Sequence, residues 1–232
     1  MNKKFLNCHK DRDFIILGSA HTTKIYQNDI ATFIEKSNLV TIGMNNMTHM
    51  FVPNYHLWTN NQRLKDFHQC IKPESQLLLG SHIKDYTLEE TGVKNFDVIK
   101  YTDQKDEKIE YKDEIIYGFF RISGNLAIYI AHLMGARNIY VVGFDGYSKP
   151  IDGNQHCYGT GLTDFQPHYK KKNVYKDTAT FMAYEKEKDN IIYGVLRNIQ
   201  YNIHQKLWII TPTLYESLYN PNILGIGKCQ KN

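Results

Sequence analysis

Phe14-Ile15-Ile16-Leu17-Gly18 and Leu39-Val40-Thr41-Ile42-Gly43 are two short apolar runs, each stopped by glycine. Such runs suit strands buried on both faces. Between them Ile25, Tyr26, Ile30, Phe33 and Ile34 recur at helical spacing. Strand, helix and strand in that order make a β-α-β unit. Its right-handed crossover places both strand C-termini on one edge of a parallel sheet.

Working outward, Tyr55–Trp58 and Gln76–Leu79 read as further strands, with a short helix over Leu64–Ile71 between them. Residues 81–118 are less regular and read as an insertion, with the charge-dense 103–114 stretch as a solvated loop or edge hairpin. Ser123-Gly124-Asn125 heads a helix that ends at Gly135, Asn138–Val142 is a strand, and 174–199 is helical. Lys206–Thr211 makes a last strand stopped by Pro212, after which Thr213 caps a short helix to Tyr219. The alternation predicts an α/β, Rossmann-like sandwich around a mostly parallel sheet, with residues 1–232 as one domain. The connection from 147 to about 173 is longer than ordinary loops and reads as a lid over the site.

The 232 residues suffice for a core without staples. A net charge of +4 is too mild to nominate nucleic acid as partner. Mean hydropathy of -0.49 argues against a multi-spanning membrane protein. Cys8, Cys70, Cys157 and Cys229 lie far apart with no Cys-x-x-Cys pair, so no zinc site or disulfide framework is expected and a reducing cytoplasm fits. Contact with the inner membrane surface and homo-oligomerisation stay open. The 17 tyrosines suit a site that grips a polar organic ligand, or an aromatic core.

In an open parallel sheet the ligand sits beyond the strand C-termini. After the first strand, Gly18-Ser19-Ala20-His21 could hold an anion or form a tight turn; no dinucleotide or P-loop fingerprint is present. Asn45-Asn46 and Thr59-Asn60-Asn61 offer amides to a base or sugar, and equally make turns. Arg121-Ile122-Ser123-Gly124 offers a guanidinium, a hydroxyl and helix N–H groups to a phosphate or carboxylate, or is an N-cap serine beside a surface cation. Asp145, between two glycines, could accept from ribose hydroxyls or fix the lid backbone. Within the lid, Tyr147, Tyr158 and Tyr169 supply phenols that could stabilise a departing phosphate, and His168 an imidazole that could take a proton; His21, His56 and His156 compete for the base.

In this order the motifs resemble those of bacterial sialyltransferases of glycosyltransferase family 42, and more distantly the central domain of motility-associated flagellin glycosyltransferases. Arg121-Ile122-Ser123-Gly124 resembles the family's Arg-Ile-Thr-Ser-Gly. Val142-Gly143-Phe144-Asp145-Gly146-Tyr147 resembles its Ser-Gly-Ile-Asp-Phe-Tyr, and Pro167-His168-Tyr169 its Ser-His-Tyr. Trp208–Pro212 resembles its last strand. The first glycine loop departs, lacking the second glycine and the proline of Gly-Asn-Gly-Pro-Ser.

The resemblance implies a GT-A-like variant of this sandwich, a CMP-sugar donor contacted by Asn45, Asn60, Ser123 and Gly124, and a glycan acceptor. It further implies Tyr147 and Tyr158 at the leaving phosphate, His168 as base and Arg121 assisting, with no metal or other cofactor. A serine-glycine and Gly-x-Asp arrangement is also similar to the archaeal 6-hydroxymethylpterin diphosphokinase, which would imply Mg²⁺-dependent phosphoryl transfer. The altered first loop leaves a noncatalytic nucleotide- or sugar-binding accessory domain as a third reading.

Overall fold

The computed structural model describes residues 1–105, 107–149 and 178–226, with Thr178 described by its backbone alone. Seven strands form one all-parallel sheet in the order β5-β4-β3-β2-β1-β8-β9. They are β1 (Phe14–Leu17), β2 (Val40–Met44), β3 (Tyr55–Trp58), β4 (Gln76–Gly80), β5 (Phe96–Ile99), β8 (Asn138–Val142) and β9 (Lys206–Ile209). β6 (Glu110–Lys112) and β7 (Ile115–Tyr117) form a separate antiparallel hairpin. The expectation of a mostly parallel sheet is thus sharpened: every pairing in the main sheet is parallel.

The chain steps outward from β1 to β5 and then returns to place β8 on the other side of β1. Strand order reverses between β1 and β8, and a crevice opens there beyond the strand ends. Side chains along β1 alternate between two layers. Phe14 and Ile16 face the apolar helix α5 (Ser123–Leu133) and the long helix α6 (Thr178–Ile203). Ile15 and Leu17 face α2 (Gln27–Ser37), where Ile30, Phe33 and Ile34 cover them. Further along that second layer, Trp58, Leu77 and Leu79 pack under α3 (Asn61–Phe67) and α4 (Asp85–Thr91). Each fully buried Leu or Ile removes apolar surface worth about 1.5–3 kcal/mol, which holds the strand ends rigidly in register.

Three sequence expectations change. Residues 81–118 are not an insertion, because they carry α4 and the edge strand β5. An edge strand buries little, and Phe96, Asp97 and Val98 are half-buried or exposed, so the apolar run is too short to stand out. Thr213 does not cap a helix to Tyr219; only a 3₁₀ turn at Glu216–Leu218 forms, while Thr213 donates to the Phe144 carbonyl and accepts from the Tyr215 N–H. The single expected helix after β1 is two, α1 (His21–Ile25) and α2, broken at Tyr26. Predicted residues 174–177 of the long helix lie outside the described residues, as does most of the proposed lid.

Candidate active site

A cleft of about 430 Å³ lies beyond the carboxyl ends of β1, β2, β3 and β8, within the range of ordinary ligand sites. Segments far apart in sequence meet there: Gly18 and Ser19, Asn45, Asn60, Arg121 to Gly124, and Asp145 to Tyr147 all line it. Nine of the expected site residues therefore share one wall system: Gly18, Ser19, Asn45, Asn60, Arg121, Ser123, Gly124, Asp145 and Tyr147. Tyr158 and His168 lie outside the described residues.

The reasons for these residues are partly structural. A Cβ on Gly18 would sit 2.5 Å from the Gly143 carbonyl oxygen, and one on Gly143 would sit 2.3 Å from the Gly18 oxygen. Gly143 also has φ +66, so both glycines serve the close crossing of the β1 and β8 turns. A Cβ on Gly124 would lie 2.1 Å from the Phe144 ring, so packing demands that glycine.

Ser123 is not an N-cap. Ile122 occupies that position with no side-chain cap, and the Ser123 hydroxyl instead shares a hydrogen bond with Thr59 Oγ1 at 2.5 Å. The start of α5 has no capping side chain and its first residues, Ser123 and Gly124, line the cleft, an arrangement suited to an anion. Asn60 does cap α3, its Oδ1 accepting from the Arg63 N–H at 3.0 Å.

Asn45 holds φ +52 and ψ -133, an uncommon conformation for a side-chain-bearing residue. His56 fixes it, with Nε2 donating to the Asn45 carbonyl at 2.6 Å. His56 is fully buried, and burial pushes its imidazole down to about 4, partly opposed by that bond. A buried neutral imidazole committed to the backbone does not serve as the base. Among the described residues the Asn45 side-chain oxygen has no hydrogen-bond partner.

Asp145 does not stand free. Its Oδ2 accepts from the Thr22 N–H at 2.9 Å, and Oδ1 accepts from the Thr22 hydroxyl. Burial raises its carboxyl to about 6, against the lowering by Thr22. Asp189 on α6 fixes the backbone after Gly146, accepting from the N–H groups of Tyr147 at 2.8 Å and Ser148 at 2.8 Å. The Tyr215 hydroxyl donates to the same carboxylate at 3.1 Å.

Sequence reading missed Asp189, together with Lys188, Tyr184, Arg63, His82, Tyr101, Asp103 and Tyr215, which line or support the cleft. A signal existed for one group. Glu185 and Asp189 fall on the buried stripe that continues through Ile192, Leu196, Ile199 and Ile203, and carboxylates on an apolar stripe call for partners. Tyr101 follows β5, the strand that went unread. Among the described residues, Arg63, Arg121 and Lys188 bring cations to the cleft. Arg121 has φ +64, donates its N–H to Asp103 Oδ1 at 3.1 Å and its guanidinium to the Tyr184 hydroxyl at 3.3 Å.

No family model and no curated protein matches this chain. Among solved structures it is similar to the MAf glycosyltransferase from Magnetospirillum magneticum AMB-1, at 12% identity and a TM-score of 0.47. That match covers 94% of this chain and 37% of the other, so this chain spans little more than a third of that protein's length. No described helix is long and apolar enough to cross a membrane.

Proposed function

We propose that the chain is a metal-independent glycosyltransferase, one nucleotide-sugar-binding domain acting from the cytoplasm. It moves a sialic-acid-like or other 3-deoxy sugar from a CMP donor to a hydroxyl of a surface-glycan precursor. The observation that carries this reading is the meeting, at the strand-order reversal, of uncapped α5 N–H groups with Asn45, Arg121 and Tyr147. Helix N–H groups and a guanidinium suit a phosphate, and the carboxamides suit a base or ribose. The ordered motif resemblance supplies the CMP donor, Tyr158 beside Tyr147 at the leaving phosphate, and His168 as the base that takes the acceptor's proton.

Incubation with a panel of CMP-sugars tests the reading through CMP release. Release in the wild type, lost in His168→Ala, supports it. Absence of release together with thermal stabilisation by ATP and Mg²⁺ would move the assignment to phosphoryl transfer. Tight CMP binding without turnover of any donor would leave a binding module.

A further inference from the structure

Lys188 stands on the cleft side of α6, with its side chain 14% exposed. Its Nζ lies 3.2 Å from the centroid of the Tyr147 ring and 3.3 Å from Glu185 Oε2. Glu185 is itself nearly sealed from solvent, and burial raises its carboxyl, opposed by Lys188 and more weakly by Arg121. An ammonium group has three N–H donors. One is directed to Glu185, the face of Tyr147 takes the cation's flank, and the group still borders the cleft.

We infer that Lys188 is the catalytic cation that meets the negative charge developing on the donor's phosphate, acting beside Tyr147, whose phenol it polarises. This rests on the glycosyltransferase reading above. In the transfer, the bond from the anomeric carbon to the phosphate oxygen breaks and its electron pair stays on that oxygen. The acceptor hydroxyl oxygen bonds to the same carbon, and its proton leaves to a base or to water. The departing nucleotide monophosphate therefore carries one more negative charge than it did in the donor. A cation preorganised in a poorly hydrated site stabilises that change more than a solvated one does. A cation on the face of a phenol also withdraws density from the ring, making its O–H a stronger donor to the same oxygens. Glu185 and Asp189 act through others: Glu185 orients the ammonium, and Asp189 holds the backbone of Tyr147 beneath it.

The test compares wild type, Lys188→Met, Lys188→Arg and the double variant Lys188→Met/Glu185→Gln, which avoids leaving a buried carboxylate unpaired. Calorimetry measures CMP against cytidine, and turnover is followed with the best CMP-sugar of the panel. Lys188→Met and the double variant are expected to lose about tenfold or more in CMP affinity with cytidine binding unchanged, as for a lost charge-assisted contact. Their kcat is expected to fall on the order of 10²-fold or more, with a smaller change in KM, and Lys188→Arg to recover most of it. Variants that bind and turn over like wild type overturn the assignment of Lys188 while the functional reading stands. Equal losses for CMP and cytidine make Lys188 structural and likewise overturn it. A folded wild type that binds neither CMP nor cytidine overturns the functional reading and this inference with it.

Discussion

Asp145, in the turn just past β8, accepts the backbone N–H of Thr22 at the start of α1, at 2.9 Å across 123 residues of sequence. The bond joins the two strand ends between which the cleft opens, and it uses a carboxylate whose charged form burial disfavours.

That burial has a pH signature. With its carboxyl raised from 3.8 to about 6, native Asp145 holds a proton that the unfolded chain has released, so its contribution to stability falls as pH rises through this window. His56 runs the other way. Its imidazole is lowered from 6.5 to about 4, so the unfolded chain takes a proton first and stability is lost as pH falls from 6.5 toward 4. Each term amounts to about 3 kcal/mol across its window, and they oppose one another. Asp145→Asn is expected to steepen the loss of stability on acidification, and His56→Gln to reverse the slope. Urea midpoints from pH 4 to pH 7 measure both; variants that track wild type at every pH would refute the offset.

Asp189 gathers the N–H groups of Tyr147 and Ser148 and the hydroxyl of Tyr215 in a buried position. Asp189→Ala orphans all three donors and is expected to cost about 3 kcal/mol in chemical denaturation. Asp189→Asn should cost less while still weakening CMP binding, because an amide accepts at one oxygen only. Unchanged affinity in a folded Asp189→Asn protein would separate this carboxylate from the site.

Two glycine substitutions should differ in sign. Gly143→Ala adds a Cβ 2.1 Å from Thr23 Oγ1 at a φ of +66, and is expected to destabilise by about 3 kcal/mol or more. Gly194, inside α6, would place a Cβ in open space, so Gly194→Ala should stabilise by about 0.5–1 kcal/mol. Thermal midpoints in one buffer decide the pair, and a neutral Gly143→Ala would count against the close crossing of the two turns.

Asn45 combines positive φ with a side-chain oxygen that has no hydrogen-bond partner among the described residues. Asn45→Gly relieves the backbone and should raise stability by up to about 1 kcal/mol. If the carboxamide contacts the nucleotide, the same change lowers CMP affinity. A variant that gains stability and keeps its affinity would reduce Asn45 to a turn residue.

The α/β class was legible from local signals alone, because a strand buried on both faces must be an uninterrupted apolar run. Phe14–Leu17 reads that way, and Tyr55–Trp58 and Asn138–Val142 come close, each interrupted or headed by one polar residue. β5 escaped because an edge strand needs little apolar surface, and with it went Tyr101 at the cleft wall. Polar residues after strands marked the cleft, since parallel strands deliver their ends to one rim.

Their sequence could not say which partner each would take. Asp145 bonding Thr22, Ser123 bonding Thr59 rather than capping its helix, and Asp189 and Lys188 reaching Tyr147 from a helix more than 40 residues away are contacts between distant segments. Hydropathy and spacing record only which face of an element is buried. Only the packed tertiary structure decides what a buried charge meets there.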